Sequence, residues 1–201
     1  MNRDKIYVVG GGPSLVGFDF NKLKDLTTIV VNSAIIDVPD PNYFITSCPG
    51  YCKTVVKNNF YGKSPHSIIV ISEVNKRWFE TKPNIPKFDE WVIPSRGDGF
   101  LGFSWKHFAV GGSSGFAAMQ YAFLSGYKKI YLLGIDVNTP GGKQHYHDRY
   151  TTMYNEIGYW QECFRQGLAR IKEEGSTEVF SCSESSDLND IIPFIKFEET
   201  F

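Results

Sequence analysis

The segment Ile6-Tyr7-Val8-Val9, running directly into Gly10-Gly11-Gly12-Pro13-Ser14, constrains this chain more than any other. Four apolar residues without polar alternation are the pattern of a strand buried on both faces, as in a covered parallel sheet. Three glycines at its end free the backbone to take positive φ and let a ligand approach closely. Pro13 and Ser14 add a pre-set φ and a cap for whatever follows. In α/β folds such a junction offers backbone N–H groups to a phosphate. A tight turn without a ligand is the plainer reading of the same residues.

The rest of the chain repeats the alternation of strand and helix. A short helix is expected at 22–26, strands at 28–31, 43–46, 67–71 and 91–93, and a helix at 51–58. Residues 94–112 show no period, and so long a loop in a compact domain is a mobile or functional element. An amphipathic helix is expected at 113–126, with Phe116, Met119 and Phe123 at three- and four-residue spacing and Gly126 at its C-terminal cap. A strand at 129–133, a long helix at 155–173 stopped by Gly175, and a strand at 178–182 complete the series. The expectation is one α/β domain spanning 1–201: a Rossmann-like three-layer sandwich on a mostly parallel sheet, with a His-rich loop at 137–150.

Composition narrows the partners. With 201 residues, 42% hydrophobic and 21% charged, the chain can bury a real core. A net charge of −1 without a basic cluster argues against a nucleic-acid surface, which needs dense positive charge. No apolar run approaches a membrane span, and the N-terminal residues lead into a strand without a signal peptide. Cys48, Cys52, Cys163 and Cys182 are too sparse for a disulfide framework, so a reduced cytoplasmic protein is expected. Trp78, Trp91, Trp105 and Trp160 read as core or loop-packing residues, and 183–187 as a cap on a C-terminal helical turn.

Four polar clusters fall where strands end, the edge at which open parallel sheets bind ligands. The first is Gly10, Gly11, Gly12 and Ser14. The second is Asn32-Ser33. A dinucleotide site would want an acidic residue at Asn32 and a glycine at Leu15, so a nicotinamide cofactor is disfavoured. Asn32 can read a ribose or base, or close an Asx-turn. The third is Ser113, Ser114 and Gly115 at the head of a helix, an anion seat or a plain N-cap. The fourth runs from Gly134-Ile135-Asp136 to Gly141-Gly142-Lys143-Gln144-His145-Tyr146-His147-Asp148-Arg149. If the segment is extended, His145 and His147 share one face, and either could be a general base oriented by Asp136 or Asp148. The same groups could hold a divalent metal or merely make structural hydrogen bonds; no metal is assigned. His66 and His107 are isolated and carry less.

Gly10 to Leu15, Asn32, Ser113-Ser114-Gly115 and the run from Gly126 to Asp136 together resemble the bacterial lipooligosaccharide sialyltransferases, and the ending Phe180-Ser181-Cys182-Ser183 is also similar. The resemblance covers most of the chain. It implies a modified Rossmann fold, a cytidine nucleotide-sugar donor, a histidine base, and inverting chemistry that needs no metal. The skeleton is also similar to the motility accessory factor and hydroxymethyl-dihydropterin pyrophosphokinase group, and to phage and marine proteins carrying the Gly141 to His147 segment. Gly11 stands where the sialyltransferases carry Asn, and His145 follows Asp136 more closely than their catalytic histidine does.

The expectation is a nucleotide- or nucleotide-sugar-binding transferase, glycosyltransferase-like, taking a donor such as a CMP-sugar and a sugar acceptor. Gly10 to Ser14, Ser113 to Gly115 and Gly134 with Asp136 would seat the donor, Asn32 its ribose or base, and His145 or His147 would take the acceptor proton. No cofactor is obligatory in this reading. A diphosphotransferase with Mg²⁺ on Asp136 and Asp148, or a non-catalytic nucleotide- or sugar-binding protein, are the alternatives. A homo-oligomer is compatible with each.

Overall fold

The computed structural model describes residues 3–48, 66–70, 76–77, 80–81, 88–94, 104–149 and 155–201. The helix expected at 51–58, Cys52, Trp78 and residues 95–103 of the aperiodic 94–112 loop lie outside the described residues.

Among the described residues seven strands form one sheet: β1 (Lys5–Val9), β2 (Thr28–Val31), β3 (Tyr43–Thr46), β4 (His66–Val70), β5 (Glu90–Val92), β6 (Lys129–Leu133) and β7 (Glu178–Ser181). The spatial order is β5-β4-β3-β2-β1-β6-β7, and every pairing is parallel. Val8 sits at the middle of this register, opposite Ile29 on one side and Leu132 on the other. The chain winds outward from β1 to β5, then crosses back to add β6 on the other side of β1. That reversal opens a crevice beyond the carboxyl ends of β1 and β6, where parallel sheets bind ligands.

The apolar runs are continuous because both faces of the sheet are covered. Ile6, Val8, Ile29, Val31, Ile130 and Leu132 point to one face, under the helices α1 (Ser114–Leu124) and α2 (Ile157–Glu174). Tyr7, Val9, Val30, Phe44, Tyr131 and Leu133 alternate to the other face. Among the described residues, the cover there consists of 3₁₀ turns carrying Leu15, Leu23, Ala34, Ile35 and Phe197. Each such residue contributes about 1.5–3 kcal/mol when fully buried, so a charge at Val8 would disrupt the sheet centre.

Two helices depart from expectation. The short helix expected at 22–26 is a single 3₁₀ turn, Phe20–Leu23, capped by the Asp19 carboxylate accepting from Asn21 N–H at 3.0 Å. Asp25 then takes φ 65°, which ends the turn before β2. Helix α1 is not amphipathic, because Ser114 through Phe123 are all buried. Its outer side is covered by Phe164 of α2 against Phe116, with ring centroids 5.4 Å apart, and by Trp105 against Tyr121 at 5.3 Å. A Cβ at Gly167 would lie 2.7 Å from the Phe116 ring, so glycine there lets the two helices meet. Helix α2 is the amphipathic one, burying Cys163, Phe164, Gly167, Leu168 and Ile171 and ending at the left-handed Gly175.

Candidate functional site

Beyond the carboxyl ends of β1 and β6 lies a cavity of about 360 Å³. Its wall is built by Gly10 to Pro13 after β1, Val31 at the end of β2 and Asn32 just after it, Ser47 and Cys48 after β3, and Gly112 to Gly115 at the head of α1. Gly134 to Asn138 after β6, Gln144 and His145, and Ile157, Trp160 and Phe164 of α2 complete it. The two glycine-serine bends, a hundred residues apart in sequence, therefore face one space.

The first bend is stitched to β6. Gly10 N–H donates to the Leu133 carbonyl and Gly12 N–H to the Gly134 carbonyl, both at 2.8 Å. Ser14 donates its N–H and its hydroxyl to the two carboxylate oxygens of Asp136, at 2.7 and 2.6 Å. Its hydroxyl also lies 2.9 Å from that of Ser183, which accepts the Gly134 N–H at 3.3 Å. The turn therefore does not offer a row of bare amides, since the N–H groups of Gly10, Gly12 and Ser14 are satisfied inside the protein. Glycine is required at position 12 by close approach: a Cβ there would meet Asp136 Oδ2 at 2.5 Å and the Gly134 carbonyl at 2.7 Å.

The second bend spends its hydroxyls on structure, and with them the Ser113 N–H, which donates to the Val110 carbonyl at 3.2 Å. Ser113 caps α1, its hydroxyl accepting the Phe116 N–H at 3.1 Å. Ser114 ties the helix to the end of β3, with its Oγ accepting the Ser47 N–H at 2.9 Å and lying 2.8 Å from the Ser47 hydroxyl. The N–H groups of Ser114 and Gly115 begin the helix, so no carbonyl of α1 can accept them, and the helix dipole adds partial positive charge. Among the described residues of the wall there is no lysine or arginine, so an anion here would rest on those amides and that dipole.

The His-rich segment closes the remaining side. Tyr146 N–H donates to the Gly11 carbonyl at 3.0 Å. The rings of His145 and His147 stack, 5.3 Å apart and 9° from parallel, over the space a side chain at position 11 would need. A Cβ on Gly11 would lie 3.3 Å from His145 Nδ1 and 3.8 Å from His147 Nε2. His145 is part of the cavity wall, whereas His147 faces Ser33, with Nε2 2.5 Å from the hydroxyl. His147 Nδ1 accepts the Arg149 N–H at 3.2 Å, which leaves Nε2 as the ring donor to Ser33. Burial lowers the pKa of His145, opposed by a hydrogen bond to the Gly11 backbone. Burial, the Arg149 charge and His145 lower that of His147 to about 4. Both imidazoles are therefore neutral at pH 7, the form in which a histidine can accept a proton.

Asp136 is not placed as an orienter of either histidine, because both its oxygens hold Ser14 and it is only 2% exposed. Asp148 is exposed. Among the described residues no three His, Cys, Asp or Glu side chains converge as a cation cage. Asn32 adopts a left-handed backbone, φ 51°, and its Oδ1 accepts the Thr46 hydroxyl at 2.7 Å. It is both the strand-closing residue and part of the wall. Sequence reasoning missed Ser47, which lines the cavity, and Asp37, which binds Arg149, and placed Trp160 in packing although it lines the cavity. Asp37 carried the one available signal, a carboxylate shortly after β2 with an arginine ending the His-rich segment.

No protein-family model and no curated protein sequence matches the chain. Solved structures do. Monofunctional α-2,3-sialyltransferase Cst-I from Campylobacter jejuni is similar at TM-score 0.57 and 16% identity, over 96% of this chain and 80% of that one. An α-2,3-sialyltransferase from the same organism in apo form is similar at 0.56 and 15%, over 96% and 80%. The sialyltransferase CstII of Campylobacter jejuni, solved with a substrate analogue, CMP-3FNeuAc, is similar at 0.51 and 15%, over 94% and 84%. The chain thus shares its overall fold with Campylobacter jejuni sialyltransferases, at low sequence identity.

Proposed function

We propose that the protein is a glycosyltransferase-like enzyme that binds a nucleotide-sugar, such as a CMP-sugar, in the switch-point cavity. The observation that carries this reading is the convergence of the Gly10–Gly12 bend, the amide-bearing head of α1 and His145 on one cavity. The N–H groups of Ser114 and Gly115 would hold the donor phosphate, with Asn32 near its ribose or base. Gly134 and Asp136 would act by shaping the first bend. The shared fold, and a neighbour solved with a CMP-sugar analogue, support a nucleotide-sugar donor.

In this mechanism neutral His145 takes the proton of an acceptor hydroxyl. The oxygen attacks the anomeric carbon, a new C–O bond forms with inversion, and the bond to the phosphate oxygen breaks to release the nucleotide. Charge developing on the leaving phosphate is met by preorganised amides and the helix dipole. His147 would support His145 by stacking and by its hydrogen bond to Ser33.

A direct test is transfer from CMP-sialic acid and UDP-sugars by the wild type and His145→Ala. Loss of a positioned general base lowers turnover about 10²–10⁴-fold, while nucleotide affinity should stay within about threefold. Unchanged turnover in His145→Ala would end the general-base assignment. Absence of any stabilisation by nucleotides in thermal unfolding would end the donor-site reading.

A further inference from the structure

We infer that Asp37 is a positioning residue for His145: gripped by Arg149 and Tyr146, it pins the His-rich segment against the glycine turn and so fixes the imidazole at the cavity wall. The inference deepens the proposed function and rests on the reading of His145 as base.

Asp37 belongs to the scaffold. It follows the 3₁₀ turn Asn32–Ile36 and donates its own N–H to the Ala34 carbonyl at 3.1 Å. Both its oxygens then receive the guanidinium of Arg149, Nη1 to Oδ2 at 2.6 Å and Nη2 to Oδ1 at 2.7 Å. Oδ2 also accepts the Tyr146 hydroxyl. The same 3₁₀ turn supplies Ser33, which holds His147. Tyr146 is fixed again by its N–H on the Gly11 carbonyl and by its ring against Phe20, with centroids 5.4 Å apart. The segment on both sides of His147 is therefore tied to one rigid corner after β2. His145, stacked on His147 and resting against Gly11, inherits its orientation.

The clamp is built from its strongest available parts. A planar guanidinium facing a carboxylate makes two parallel charged hydrogen bonds, a geometry that lysine cannot reproduce. Burial pushes the Asp37 carboxyl up, yet hydrogen bonds from Arg149 and Tyr146 outweigh it and hold the group below its ordinary range. Arg149 and Tyr146 are raised in turn, chiefly by their bond to Asp37 for the former and by burial for the latter. The clamp stays charged at neutral pH.

The test reads His145 without needing a substrate. Its imidazole is titrated by NMR in the wild type, in Asp37→Asn and in Arg149→Lys, with folding checked from the amide spectra. Arg149→Lys keeps both charges and carries the same test if Asp37→Asn does not fold. The charged or titratable neighbours are His147 on the ring, Arg149 and Asp37 behind it, and Asp136 in the same wall. Removing a carboxylate lowers a nearby imidazole pKa through charge alone. Release of the ring into water raises it. The clamp predicts a rise of about 0.5 or more in both variants, with kcat falling about tenfold and donor KM within about threefold. An unmoved or lowered His145 titration in both variants overturns the inference. Because the titration needs no turnover, it stands even if no transferase activity is found, which would instead refute the proposed function.

Discussion

Replacing Asp136 by Ala should unfold the protein more readily, because the carboxylate holds the glycine turn together. Asp136 is 2% exposed and receives the Ser14 N–H at 2.7 Å and the Ser14 hydroxyl at 2.6 Å. Hydrogen bonds to a charged group contribute about 1.5–3 kcal/mol each. In the alanine variant the Ser14 hydroxyl can still turn to Ser183, 2.9 Å away, but the Ser14 N–H loses its acceptor. Removing a buried charge returns part of its desolvation cost, so the net loss should be about 2–4 kcal/mol. For a chain of this size 1 kcal/mol moves Tm by about 2–4 °C, giving a drop of roughly 5–15 °C. Asp136→Asn keeps one acceptor and should lose about half as much. The assay is urea unfolding of Asp136→Ala, Ser14→Ala and the double variant. Their double-mutant cycle should show coupling of about 1 kcal/mol or more. A carboxylate retained only for chemistry would leave stability unchanged or improved on removal, so an Asp136→Ala variant within about 0.5 kcal/mol of wild type would refute this reasoning.

Other consequences are separately measurable. Gly12→Ala puts a Cβ 2.5 Å from Asp136 Oδ2 and 2.7 Å from the Gly134 carbonyl; chemical denaturation should show a loss of about 1–3 kcal/mol. Ser113→Ala removes the cap on α1 and should cost about 1 kcal/mol by the same assay. His147 has its pKa lowered from 6.5 to about 4, so between those values the unfolded chain binds the extra proton. Its contribution is complete above pH 6.5 and is lost as pH falls toward 4. The ring is only partly buried, so the loss after allowing for solvent is about 1–2 kcal/mol. His147→Gln should flatten the stability profile in that window, and an unchanged slope would contradict the assigned burial. Turnover, if phosphate charge is met by amides, should persist in EDTA, and its abolition by chelation would contradict that assignment.

Local patterns revealed the frame but not the fastenings. The run Ile6 to Val9 ending in glycines, and its counterparts before Asn32 and Gly134, identified strands covered on both faces and the edge where their turns gather. Those signals are contained within a few residues. The contacts that assign roles are not: Ser14 meets Asp136 across 122 positions, and Arg149 meets Asp37 across 112. No periodicity announces such pairs. Ser113 and Ser114 illustrate the same point, since a seryl pair at a helix head reads equally as anion seat or cap. The structure shows their hydroxyls taken by Phe116 and Ser47. The spacing of Phe116, Met119 and Phe123 marks one apolar face of α1 but does not reveal that the opposite face is covered too. Gln120 is in fact buried, its Oε1 accepting the Ala109 N–H at 3.1 Å.

The central claim is that two distant bends hold one ligand. An amide-resolved NMR titration with CMP tests it most directly. The account predicts that the Gly11, Ser114 and Gly115 resonances move together along one saturable isotherm. Movement at only one bend, or at the two bends with different midpoints, would contradict it.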